Sequence, residues 1–140
     1  INLTDQAIAQ HTNTIYDRYT KNIHIIEDLS QTYGFTYSLF WQPIIHTKTT
    51  LSQDEADVME NTIATSRLSH EDIEKITKIY ALVTTNLKDS NINNFHDISD
   101  IFSHTDQNLY FDSCHINSTG KKMVATKMHD IIISNNPFSK

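Results

Sequence analysis

Glycine is nearly missing. Gly34 and Gly120 are the only two in 140 residues, where average usage predicts roughly ten. That shortage fits a helix-rich domain, or a piece whose glycine-rich functional loops lie on another stretch of protein. A single cysteine, Cys114, excludes an internal disulfide framework and a multi-cysteine zinc site. Arginine is just as scarce. Arg18 and Arg67 are the only two among 11 basic residues, against 17 acidic ones, and the net charge is -6. An acidic, arginine-poor chain without a basic stripe is not built for nucleic acid or an anionic membrane surface. No apolar run approaches the ~20 residues of a membrane span, and Asn2, Thr4, Asp5 and Gln6 interrupt any signal-like start. What is present, 38% hydrophobic and 20% charged residues with a mean hydropathy of -0.44, is the composition of a small globular unit rather than a disordered one.

The apolar spacing predicts a long first helix, capped by Thr4 or Asp5. Tyr16, Tyr19, Ile23, Ile26, Leu29 and Tyr33 recur at three- and four-residue steps along it. Gly34 follows, where a left-handed C-terminal cap favours glycine. Residues 35–41 (FTYSLFW) then read as a buried strand stopped by Gln42-Pro43. Ser52-Gln53-Asp54-Glu55 is a capping box that opens a short helix to about Glu60. Ser69 caps the next helix, whose apolar stripe is Ile73, Ile76, Tyr80, Val83 and Leu87. Residues 95–98 read as a second strand and residues 99–102 as one helical turn. The last helix starts near Ser118, turns Val124, Met128, Ile131 and Ile132 inward, and Pro137 ends the ordered chain. Helices alternating with short strands point to an α/β fold with a parallel sheet. Two strands cannot make such a sheet self-sufficient, which favours a fragment or a chain completed by another.

The stretch that carries chemistry is residues 110–125, YFDSCHINSTGKKMVA. Asp112 can accept a hydrogen bond from Nδ1–H of His115, fixing the tautomer and leaving Nε2 as a general base. Such a pair needs a nucleophile within reach of Nε2. The stretch resembles the C-terminal catalytic block of the SGNH (GDSL-type) serine hydrolases. The upstream order of Tyr19, Ile23 and Ile26, then Tyr33-Gly34, Gln42-Pro43 and Leu51-Ser52-x-x-Glu55 is similar to the second half of those domains. The resemblance implies a three-layer α/β/α flavodoxin-like domain, with residues 1–140 as its C-terminal portion, and ester hydrolysis by Ser-His-Asp acyl transfer. It makes His115 the base and Asp112 its orienter. No Gly-Asp-Ser block occurs here, so the resemblance leaves the serine and the oxyanion hole to an N-terminal segment, this chain's expected partner. The implied substrate is a small-molecule or carbohydrate ester, with no cofactor and no metal. The resemblance leans towards a secreted or cell-envelope setting. The rival expectation is an inactive binding module of the same shape.

Other residues compete with this pair for a functional role. Cys114 adjoins His115, and in extended chain neighbouring side chains point to opposite sides, so Cys114 is expected to be a buried small hydrophobe; Ser113, two positions from His115, is not expected to be the nucleophile. Ser118 is expected to cap the last helix. His96, His104 and His115 could converge with Asp97, Asp106 or Asp112, yet no two histidines have the H-x₃₋₅-H spacing of zinc modules, and His70-Glu71-Asp72-Ile73-Glu74 only approaches the H-E-x-x-H pattern; both features read as solvated helix and loop residues. Gln42, at the carboxyl end of a parallel strand, is the expected substrate-binding residue, because ligands in open α/β sheets sit there. Asn2-Leu3-Thr4 and Asn117-Ser118-Thr119 match the glycosylation sequon.

Overall fold

The computed structural model describes residues 4–66 and 68–135. The Asn2 sequon position, Arg67 and the expected stop at Pro137 lie outside them. Four α-helices, α1 (Asp5–Tyr33), α2 (Gln53–Ser66), α3 (His70–Asp89) and α4 (Ser118–Ser134), and two strands, β1 (Leu39–Trp41) and β2 (Phe95–Asp97), follow in the order α1-β1-α2-α3-β2-α4. Helix accounts for 63%, and β1 and β2 form one two-stranded parallel sheet. This overturns the three-layer α/β/α flavodoxin-like expectation, because three-residue strands in a single pair have no neighbours on which to build layers. The strand expected over residues 35–41 shrinks to Leu39–Trp41, and Phe35 is 43% exposed. Aromatic residues favour strands only where a pleated surface covers them.

The described residues fall into two compact units. One draws on Ile1–Leu39 and Ser69–Phe95, the other on Phe40–Leu68 and His96–Lys140.

In the first unit, α1 packs on α3. Thr4 caps α1, its hydroxyl accepting from the Ala7 N–H at 3.2 Å. Gly34 ends the helix at φ 68°, a left-handed conformation that costs other residues about 1–2 kcal/mol, and its N–H donates to the Ser30 carbonyl. The buried line runs through Ile8, Thr12 and Ile23, while Leu29 and Tyr33, expected inside, are exposed. Ser69 and Asp72 close a reciprocal box at the start of α3: each side chain accepts from the other's backbone N–H, at 3.1 and 2.9 Å. Ile79, Val83 and Leu87 carry the buried face of α3.

In the second unit, Ile45, Phe102, Leu109 and Tyr110 form the core, with Leu51, Val58, Met59, Ile116, Met123 and Val124 packed around it. Gly120 is buried beneath this core. A Cβ there would stand 3.0 Å from the Ile116 Cβ, so the glycine permits a close approach of α4. Residues 99–104 form turns rather than the helical turn expected over 99–102. The cap of α4 is Asn117, whose side chain accepts from the Gly120 N–H at 3.0 Å; Ser118 is the first helical residue. Ile132 is exposed, not inward.

His46 sits half-buried in a 3₁₀ turn, Ile45–Thr47, and burial lowers its pKa. The unfolded chain therefore takes up the proton first as pH falls. The stability that neutral His46 contributes is complete above the ordinary value of about 6.5 and is lost as pH drops through and below it. Urea unfolding at about pH 7.5 and about pH 5.5 should show a smaller loss for His46→Gln than for the parent chain; equal losses would remove His46 as the cause.

Candidate functional site

Residues 109–117 form a short hairpin rooted in the second unit's core. Tyr110 and Ile116 pair in an antiparallel bridge. The Asn117 N–H donates to the Leu109 carbonyl and the Phe111 N–H to the His115 carbonyl, each at 2.8 Å. The tip is shaped by Asp112. Its Oδ1 accepts from the backbone N–H groups of Cys114 at 2.9 Å and His115 at 2.8 Å, the geometry by which an Asp side chain imitates a backbone turn. Its Oδ2 stands 2.6 Å from His115 Nδ1. The two backbone N–H groups, and then the imidazole, hold the Asp112 carboxyl well below the usual range, so it is ionised. The His115 side chain is 77% exposed and that of Asp112 48%, which leaves the far side of the ring open to an incoming group.

The root of the hairpin is held by a buried ion pair. Lys48 Nζ lies 2.6 Å from Glu55 Oε2, both side chains being fully buried. Glu55 Oε1 accepts from the Leu109 N–H at 2.9 Å, and Oε2 from the Ser52 N–H at 2.9 Å. Lys48 also donates to the Gln107 carbonyl at 2.7 Å. Burial pushes the Glu55 carboxyl up, but the Lys48 ammonium and the two backbone donors outweigh it, and the net shift is downward. One carboxylate thus caps α2 and fastens the first residue of the hairpin. The Ser52–Glu55 box was legible in the sequence; its burial against Lys48 was not. Tyr110 packs edge-on to Phe102 and its hydroxyl is buried without a hydrogen-bond partner. Burial first, then the Glu55 carboxylate and Cys114, raise its pKa.

The remaining expected residues are scattered. Gln42 is exposed just past the end of β1, and the hydrogen bonds of Asp112 and His115 do not involve it. The Ser113 carbonyl accepts from the Ile45 N–H at 3.0 Å, which ties the hairpin tip to the segment after β1. His96 stacks on Phe40 with ring centroids 5.2 Å apart, and His104 is an exposed loop residue. Cys114 departs from expectation: it is exposed, and its Sγ lies 3.8 Å from His115 Nδ1. The argument from alternating side chains fails because Asp112 bends residues 112–115 into a turn, where adjacent side chains share one side.

No helix among the described residues is long and apolar enough to cross a membrane. No family model, curated protein or solved structure matches the chain.

Proposed function

We propose that Asp112 and His115 are the acid–base half of a serine-type ester hydrolase, with the hydroxyl nucleophile and oxyanion donors supplied by a segment outside these 140 residues. The observation that carries this reading is the 2.6 Å contact between Asp112 Oδ2 and His115 Nδ1. It selects the Nδ1–H tautomer and turns the Nε2 lone pair towards open solvent. In the reaction, Nε2 takes the serine proton as its oxygen attacks the ester carbonyl, then returns it to the leaving alcohol. Nε2 then activates a water that releases the acid and restores the serine. Asp112 stays ionised throughout and stabilises the imidazolium. The substrate class is a small-molecule or carbohydrate ester.

A second reading, a binding module without catalysis, draws support from Asp112 Oδ1. Its two backbone hydrogen bonds are a structural task that needs no chemistry. The two readings separate in an assay of p-nitrophenyl acetate hydrolysis by the protein that includes the serine-bearing segment. Turnover that disappears in His115→Ala supports the hydrolase; turnover that survives, or none in the parent, removes it.

A further inference from the structure

The hydrolase reading leaves Cys114 unused, although the turn brings its sulfur to the same nitrogen that Asp112 holds. Donor atoms of Asp112, Cys114 and His115 all lie within 4.8 Å of one another, the one such trio of His, Cys, Asp or Glu side chains found among the described residues. We propose that residues 112–115 bind a single borderline-soft divalent cation of the zinc type. The ligands are the Asp112 carboxylate, the Cys114 thiolate and His115 Nδ1, with water in the fourth position.

Two of the three donor separations lie close to those of a tetrahedral site, and the third is within 4.8 Å. Tetrahedral coordination with bonds of about 2.0–2.3 Å separates donor atoms by about 3.3–3.8 Å. Sγ and Nδ1, at 3.8 Å, stand at that spacing. Oδ2, now hydrogen-bonded at 2.6 Å, has to retreat by about 0.7 Å to reach it. Asp112 is half exposed, and its Oδ1 anchors the carboxylate to two backbone N–H groups while Oδ2 swings. A thiolate, an imidazole and a carboxylate favour Zn²⁺ or Co²⁺ over Mg²⁺ and Ca²⁺, which prefer all-oxygen shells. On binding, the Nδ1 hydrogen moves to Nε2 and the thiol gives its proton to solvent, so one proton is released per ion. Nδ1 cannot donate to Asp112 and ligate a cation at once. The loaded chain therefore lacks the free Nε2 base, and the cation would act as an inhibitor of any chemistry run by the pair.

This inference does not rest on the hydrolase reading, and its readout is spectroscopic. Co²⁺ titrated into the reduced 140-residue chain should produce a thiolate-to-cobalt charge-transfer band in the near ultraviolet that saturates at one ion per chain. Zn²⁺ should bleach it, and Mg²⁺ should not. Cys114 is the only cysteine, so Cys114→Ser must abolish the band. His115→Ala and Asp112→Asn, the second of which keeps the Oδ1 acceptor of the turn, should each weaken Co²⁺ binding by about 10-fold or more, with far-UV circular dichroism showing that the helices persist. No band in the parent chain overturns the site. So does a band whose midpoint is unchanged in His115→Ala, where the thiol alone would be collecting metal. Saturation at half an ion per chain, with two sulfurs on one ion, also overturns it.

Discussion

Under the proposed hydrolase reading, Asp112→Asn is expected to lower kcat for ester hydrolysis about 10⁴-fold in the protein that includes the serine-bearing segment, while leaving the hairpin folded. The two carboxylate oxygens do different work, and this substitution separates them. An asparagine oxygen in the place of Oδ1 still accepts from the Cys114 and His115 N–H groups, so the turn survives. In the place of Oδ2 stands an amide NH₂, which donates. It therefore selects the imidazole tautomer whose hydrogen is on Nε2, and the base loses its lone pair towards the nucleophile. Asp112→Ala removes both functions and should unsettle residues 111–115 as well. The tautomer is measurable in the 140-residue chain itself, without any nucleophile. Nitrogen-15 shifts of the His115 ring should report Nδ1–H in the parent and Nε2–H in Asp112→Asn. The same tautomer in both would break the link between the 2.6 Å contact and catalysis.

Glu55→Ala is expected to destabilise the fold by about 3–5 kcal/mol, because it strands the Lys48 ammonium in a fully buried position. The Ser52 and Leu109 N–H groups lose their acceptor at the same time. Against a typical total of about 5–15 kcal/mol, that is enough to bring the chain near unfolding. The double variant Lys48→Met with Glu55→Gln should recover much of the loss. The stranded charge is gone, and the glutamine oxygen still accepts from at least one of the two N–H groups. Urea unfolding followed by far-UV circular dichroism measures all three chains. A single-variant cost below about 1 kcal/mol would show that water reaches Lys48 and that the pair is not the hairpin's anchor.

Local signals with a fixed chemical grammar were legible in the sequence. Gly34 after an apolar stripe, Ser52 three residues before Glu55, and Ser69 at the head of α3 each name their own hydrogen bond, and the structure makes those bonds. The signals that failed depend on what lies across space. Residues 35–41 have strand-forming side chains, yet three of them pair, because pairing needs a partner of matching length and β2 supplies three residues. The parallel sheet was expected from the alternation of helices and short strands, and its three-layer form came from the resemblance; neither signal reports how many strands are there to pair. The contact of Asp112 with His115 is readable from spacing, since three residues around a turn bring a carboxylate to an imidazole, and the two stand 2.6 Å apart. Cys114 was misplaced because the same turn that makes the pair cancels the alternation used to exclude it. Lys48 carried no readable mark: a lysine flanked by threonines looks like any surface lysine until a buried carboxylate is found for it.

The division of the chain into two units has a practical corollary. Each is assembled from two separate stretches, 1–39 with 69–95 and 40–68 with 96–140. No single cut therefore releases an intact half. Cleavage between residues 68 and 69 parts α1 from α3, and also removes Lys48 and Glu55 from the hairpin they secure. A cut at that junction wounds both halves together, and a useful split of this polypeptide has to keep all four stretches.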